Sequence, residues 1–202
     1  MLAVHVSEGT EGGAVYAFDA SRPGTFDDAA ATLTSPPDWG GVTAAHCGPA
    51  RCAIAVRSAD VAGALDGGVW FYPAALPEGV SALALEDGGA ARLLRGGTGD
   101  KAGDAVVLLS RGTTDDTLVV GTTAANGVGP NSGVVQILPT EGPYGPEPLT
   151  GAPTRWRGEA ADDRAGGALA AGDIDGDGVS DLVVGAHQNV GLPGKAHLLT
   201  AL

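Results

Sequence analysis

Carboxylates alternate with other residues in one short segment near the end of the chain, Asp173-Ile174-Asp175-Gly176-Asp177-Gly178-Val179-Ser180-Asp181. Protein-bound Ca²⁺ takes about six to eight oxygen ligands, and alternating carboxylates on a tight loop supply them. Gly176 and Gly178 allow the backbone to turn sharply. Without a cation, carboxylates this close together would repel one another; the alternative is an acidic surface turn with no ion. The segment predicts a calcium site whose ligands are Asp173, Asp175, Asp177, Val179 (main chain) and Asp181.

The residues around this segment favour strands over helices. Short apolar runs stand on either side, at residues 168–171 and 182–184. An EF-hand or dockerin loop needs an acidic residue at the twelfth position, and Val184 stands there in the middle of an apolar run. We therefore expect the acidic segment to join two adjacent β-strands.

Two short sequence motifs recur four times along the chain, at intervals of about 60 residues. The first motif is an apolar run at residues 2–6, 53–56, 118–121 and 182–185. The second motif follows it and is a glycine followed by an apolar run, with copies that begin at Gly13, Gly68, Gly133 and Gly194. A further candidate strand opens the later units, at residues 41–45, 105–109 and 168–171, and a more polar one closes units at 31–34, 91–94 and 154–157.

Four short strands in each repeat predict an all-β fold built from propeller blades. Repeated four-stranded units that pack radially bury both faces of each sheet, and the polar fourth strand fits a solvent-exposed outer edge. A β-sandwich is the structural alternative, but it does not explain the repeat. We expect a single β-propeller domain or fragment over residues 1–202, with about three and a half four-stranded blades visible. The approximate repeats, called repeats 1 to 4 below, are residues 1–36, 37–97, 98–160 and 161–202.

The composition excludes several classes of partner. The formal net charge is −13, whereas nucleic acid and anionic membranes need a basic face. No apolar run approaches the roughly 18 residues of a membrane-spanning helix, and the N-terminal residues do not form a signal peptide. We expect no nucleic-acid binding and no membrane insertion.

The sequence contains two cysteines, Cys47 and Cys52. A disulfide across a short turn is the preferred interpretation, and two free thiols remain an alternative. A metal pair is disfavoured because zinc sites normally gather four ligands.

The acidic segment and the Leu182-Val183-Val184-Gly185-Ala186 run after it resemble the FG-GAP repeat of integrin-α-like β-propellers and related calcium-binding repeat proteins. The resemblance implies a structural Ca²⁺ held by the five residues given above, at one face of a propeller. It also implies an extracellular or cell-surface location, with any export signal outside this chain. In repeat 3 the equivalent loop, residues 110–117, lacks alternating carboxylates, so we expect no ion there. In repeat 2 the equivalent loop contains Cys47 and Cys52. A disulfide between them would close this loop in place of a bound calcium ion.

The predicted function is a calcium-binding module for adhesion, ligand binding or structure, and not an enzyme. The sequence lacks a Gly-x-Ser-x-Gly elbow, a phosphate loop and a His-Glu-x-x-His motif. Its partner would be a protein or glycan, and it could self-associate to complete the propeller. Trp39, Trp70 and Trp156 either line such a site or pack between blades. The alternatives are a non-catalytic propeller attached to an extracellular hydrolase or lyase in a longer chain, and a propeller enzyme.

Overall fold

The computed structural model is all-β in the part of the chain that it describes. Fifteen strands and the short 3-10 turn η1 (Leu149–Gly151) are present there, and no α-helix. None of these elements is a helix long and apolar enough to cross a bilayer. The described residues are 14–17, 31–35, 39, 41–48, 51–61, 65–73, 80–84, 92–112, 114–142, 146–187 and 193–200.

The strands are short, as the frequent glycines predict. Those of the first half are β1 (Ala14–Ala17), β2 (Ala31–Thr34), β3 (Ala44–Cys47), β4 (Arg51–Val56), β5 (Gly68–Pro73), β6 (Val80–Ala84) and β7 (Arg92–Arg95). Those of the second half are β8 (Ala105–Arg111), β9 (Thr114–Thr122), β10 (Val134–Pro139), β11 (Pro146–Pro148), β12 (Thr154–Arg157), β13 (Ala165–Gly172), β14 (Asp181–Ala186) and β15 (Lys195–Leu199).

The described strands form four open sheets, one for each predicted repeat. Their strand orders are β1-β2-β6, β11-β7-β5-β4-β3, β12-β10-β9-β8 and β13-β14-β15. Within the second, third and fourth sheets, the strands of the repeat pair in chain order as antiparallel neighbours. The all-β prediction is confirmed and the arrangement is blade-like, whereas closure into a propeller stays a prediction.

Most predicted strands in the described ranges are present, and several differ in their bounds, such as β13, predicted at residues 168–171 and observed at Ala165–Gly172. The strand predicted at residues 41–45 is displaced to Ala44–Cys47, because Gly41 has a positive φ of 92° and the chain straightens only after it. The loop predicted at residues 110–117 is mostly strand, since β8 ends at Arg111 and β9 begins at Thr114. The strand predicted at residues 2–6 lies outside the described residues.

Two strands were not predicted, and both are parallel additions to an outer strand. β6 lies in the connection between β5 and β7 and pairs with β2 of the preceding sheet. β11 lies in the equivalent connection between β10 and β12 and pairs with β7 of the preceding sheet. The expectation of a solvent-exposed outer edge is therefore wrong for β7, because β11 covers it. It holds for β12, whose four residues are all exposed.

A buried arginine fixes β11 against β7. Arg92 is 6% exposed, and its guanidinium donates from Nε and Nη2 to the two carboxylate oxygens of Glu147, each at 3.0 Å. The same group also donates to the carbonyl oxygen of Pro139 at 2.6 Å. This bidentate geometry satisfies a charge that burial would otherwise penalise. The short strand β11 thus owes its position to side-chain charge as well as to backbone pairing.

Equivalent backbone hydrogen bonds join the second sheet to the third and the third sheet to the fourth. The carbonyl of Asp66, before β5, accepts from the N–H of Ala102 at 2.9 Å, at the entry of the third sheet. One repeat later, the carbonyl of Ser132, before β10, accepts from the N–H of Ala165 at 3.0 Å. The glycines that follow, Gly67 and Gly133, both have positive φ, so the two junctions are equivalent.

Apolar side chains fill the space on both faces of the third sheet. One cluster joins it to the second sheet and includes Phe71, Leu94, Leu108, Leu138 and Leu149. The other cluster joins it to the fourth sheet and includes Val107, Val119, Ile137, Leu182 and Val184. Successive residues of β8 therefore face opposite neighbours, as expected for a strand in a sheet that is buried on both sides.

We expect Glu147→Ala to lower the free energy of unfolding by about 2 kcal/mol, because it leaves the buried guanidinium of Arg92 without its carboxylate partner. Urea denaturation measures this loss.

The matched control is Glu141→Ala. Glu141 pairs with Arg51 nearby, but its side chain is 79% exposed, so the loss should stay below about 1 kcal/mol. Equal losses for the two variants would show that β11 is not held through Arg92.

Candidate metal centre

The acidic segment forms the loop between β13 and β14. Its ends are adjacent, since Gly172 and Asp181 are paired residues of the two antiparallel strands. Gly176 and Gly178 have positive φ values of 82° and 86°, which non-glycine side chains rarely adopt. The loop therefore joins two neighbouring strands, as the flanking apolar runs predicted.

Backbone N–H groups of the loop orient three of its carboxylates. Asp173 accepts from the N–H of Gly176 at 2.7 Å and from that of Gly178 at 3.0 Å, one on each oxygen. Asp175 accepts from the N–H of Asp177 at 3.2 Å, and Asp177 accepts from the N–H of Val179 at 2.8 Å. Each carboxylate keeps acceptor capacity for a further ligand, because an ionised carboxylate has about four lone-pair sites.

The oxygens brought together in this way fit a single cation. One carboxylate oxygen from each of Asp173, Asp175 and Asp177 lies within 4.8 Å of the others. Two oxygens that each bind one Ca²⁺ at about 2.4 Å can be separated by at most about 4.8 Å. All three residues are exposed, and no ion pair between described residues involves them. The cluster therefore concentrates negative charge that a metal ion could neutralise.

Asp181 stands apart from these three. It is 2% exposed, and its carboxylate accepts from the N–H of Ile174 at 2.8 Å, which ties the end of the loop to its beginning. Val179 is partly buried. The structure thus gathers three of the five predicted ligands, whereas Asp181 and the main chain of Val179 remain predicted ligands.

The loop also contacts the third sheet, which the sequence did not indicate. The N–H of Ser180 donates to the carbonyl of Ser110 at 3.0 Å, and the N–H of Ser110 donates to the hydroxyl of Ser180 at 3.2 Å. Arg111 and Val179 form an isolated antiparallel bridge beside them. These contacts connect the β13–β14 loop to the β8–β9 turn, so ordering of the loop would also order the junction between the third and fourth sheets.

In the second sheet, the loop equivalent to the β13–β14 loop is closed by a covalent bond. Cys47 is the last residue of β3, Cys52 is the second residue of β4, and the two are directly opposite in the register. Their sulfurs form a disulfide. In the third sheet, Arg111 and Thr114 are themselves paired across the turn, and both cysteines of the chain lie elsewhere. The absence of an ion from this turn stays a prediction.

The three tryptophans have different surroundings. Trp39 and Trp70 are buried, with ring centroids 5.3 Å apart, and they pack in the core on the second sheet. Trp156 on β12 is 48% exposed. Of the three, Trp156 is the one whose ring is available to a ligand.

Comparison with known proteins agrees with this site. The model of the FG-GAP repeat family matches residues 165–199, which include β13, the acidic loop, β14 and β15. A search of curated proteins found no match. The three clustered aspartates and the two strands that hold them therefore lie within a segment similar to the FG-GAP repeat, which integrin-α-like propellers carry.

Proposed function

We propose that this chain is a calcium-binding β-propeller module that serves extracellular adhesion, ligand binding or structure, and that it is not an enzyme. The observation that carries the proposal is the cluster of Asp173, Asp175 and Asp177 in the β13–β14 loop of the FG-GAP repeat. Oxygen-only donors on an exposed loop suit a hard cation. Ca²⁺ tolerates such irregular cages better than Mg²⁺, which prefers near-octahedral geometry and retains its waters.

The equivalent junctions between neighbouring sheets support the propeller. When the same contact is repeated between successive sheets, each sheet is rotated by the same angle relative to the preceding one. A closed ring of about four to eight four-stranded sheets is a β-propeller. The contacts at Asp66 and Ser132 are such a pair. The burial of the third sheet on both faces agrees with a blade between two other blades.

An extracellular setting is supported by the loop chemistry. A disulfide such as Cys47–Cys52 persists in oxidising compartments. Calcium sites of weak affinity, with Kd about 10⁻⁴–10⁻³ M, are filled at extracellular calcium concentrations. The proposed partner is a protein or a glycan, and association of two copies is a further route to a complete ring.

Calcium should stabilise the fold through this loop. With Ca²⁺ at ten times its Kd, mass action adds roughly 1.4 kcal/mol, which raises Tm by about 3–6 °C for a chain of this size. Thermal unfolding in EDTA and in millimolar Ca²⁺ measures the shift. Asp175→Asn should abolish it, and in EDTA this variant should melt at or above the wild type, because one repelling charge is gone.

The matched control is Glu141→Gln, an exposed acidic residue away from the loop, which should keep the full calcium shift. An equal shift in both variants would mean that calcium acts elsewhere. If no shift occurs and the purified protein contains no metal, the acidic loop is only a turn.

Removal of the disulfide should lower the free energy of unfolding without changing the stabilisation by calcium. Closing so short a loop stabilises the folded state by about 2 kcal/mol in the chain-entropy model, so Cys47→Ser/Cys52→Ser should lower the free energy of unfolding by that amount. The calcium shift should be unchanged, because distant sites contribute additively. A calcium shift that disappears with the disulfide would show that the two loops are coupled.

A further inference from the structure

The acidic loop between β13 and β14 has a cationic neighbour in the third sheet. Arg111 is the last residue of β8, and it forms an isolated antiparallel bridge with Val179 of the loop. The hydrogen bonds between Ser110 and Ser180 lie beside this bridge and hold the two backbones together. A positively charged residue is therefore fixed by its backbone next to the loop that carries the clustered aspartates.

The carboxylate of Asp177 lies within reach of this arginine. Opposite residues of two antiparallel strands have Cα atoms about 4.5–5.5 Å apart, and the N–H of Val179 donates to the Asp177 carboxylate at 2.8 Å. An extended arginine side chain spans about 7 Å from Cα to its terminal nitrogens. Arg111 can therefore place its guanidinium against Asp177 by side-chain rotation alone, while the backbone of the bridge stays in place.

The side chain of Arg111 is free to make this approach. It is exposed, and it forms no ion pair with the described residues. The three aspartates of the cluster are exposed as well. Ion pairs between exposed side chains are weak and do not hold two long side chains in one geometry. We therefore expect Arg111 to act as a mobile counter-charge of the loop and not as half of a fixed ion pair.

The cluster makes a nearby cation effective. One carboxylate oxygen from each of Asp173, Asp175 and Asp177 lies within 4.8 Å of the others, so the three charges repel one another and attract the same cation. Such attraction extends over a screening length of about 10 Å at 0.1 M salt. Arg111 can enter this distance. Its charge then lowers the repulsion within the loop in the absence of a metal ion.

We propose that Arg111 is a tethered counter-charge that competes with Ca²⁺ for the acidic loop and thereby weakens the calcium affinity of the site. Without calcium, its guanidinium offsets part of the repulsion among the aspartates. Calcium carries twice the charge and binds the carboxylates directly, so it displaces the guanidinium into solvent. The inference rests on the proposed calcium site and adds its regulation: a residue of the neighbouring sheet sets the calcium concentration at which the loop fills.

The test is isothermal titration of the 202-residue chain with CaCl₂. At about 0.1 M NaCl, Arg111→Gln should lower the Kd for Ca²⁺ by about two- to five-fold, because the competing charge is gone. Arg111→Lys should keep the affinity of the wild type, since it keeps the charge. At about 1 M NaCl the screening length is about 3 Å, and the difference between wild type and Arg111→Gln should disappear.

The matched control is Arg157→Gln. Arg157 is also exposed and also forms no ion pair with the described residues. It lies on β12, three strands from β8, and at the opposite end of the third sheet, since it is in register with Val134 and Thr122. Its substitution should leave the Kd unchanged. An equal change in both variants would mean that net charge alone acts, which overturns the proposal.

A double-mutant cycle in EDTA tests the same contact without calcium. Arg111→Gln should lower Tm by about 2 °C in the wild-type background, because the aspartates lose their counter-charge. It should have little effect in an Asp177→Asn background. In an Asp115→Asn background the full effect should remain, since Asp115 belongs to the β8–β9 turn and not to the cluster. Coupling to Asp115 in place of Asp177 would overturn the proposal.

Failure of this inference and failure of the calcium site give different results. Calcium binding with the same Kd in wild type and Arg111→Gln would overturn the inference and leave the calcium site intact. Absence of calcium binding from the wild type and from both Arg111 variants would overturn the site and the inference together. Calcium binding by Arg111→Gln and not by the wild type, at equal concentrations, would support the inference in its strongest form.

Discussion

Adjacent repeats meet backbone against backbone, and this close approach constrains the rest of the structure. A Cβ atom added to Gly133 would lie 2.3 Å from the backbone of Ala165, and one added to Gly67 would lie 2.3 Å from the backbone of Ala102. A Cβ added to Gly121 would lie 2.0 Å from the carbonyl oxygen of Gly166. No side chain fits at such distances, so glycine is required where the sheets touch. The packing of neighbouring sheets therefore accounts for glycine at these three positions.

Where two sheets are in contact at their inner strands, the space between their outer strands must be filled. Between the second and third sheets the filling is β11, Leu149 and the buried Arg92–Glu147 pair. Between the third and fourth sheets the equivalent space is a groove beside Trp156. The same geometry thus leaves a filled junction in one place and a groove in the other, as far as the described residues show.

Most of the strands could be predicted because they are local apolar runs, and the hydrophobic pattern reflects burial on a sheet. β6 and β11 could not, because their pairing depends on partners far away in the sequence. Glu147 has no local feature that indicates Arg92, 55 residues earlier, as its partner. In the β13–β14 loop, the spacing of Asp173, Asp175 and Asp177 predicted their clustering, since a tight turn brings alternate residues together. The hydrogen bonds of Ser180 to the third sheet depend on the packing of two repeats and leave no local pattern.

The three equivalent loops differ in length and in the interactions that close them. The turn from Arg111 to Thr114 is closed by its own strand pairing, and the Cys47–Cys52 loop by one covalent bond. The loop from Asp173 to Asp181 extends further, and it alone of the three carries a cluster of carboxylates among the described residues. That extension allows Ser180 to reach Ser110 of the neighbouring sheet. A cation that neutralises the cluster would therefore order a contact between two repeats, whereas the disulfide orders only the hairpin that contains it.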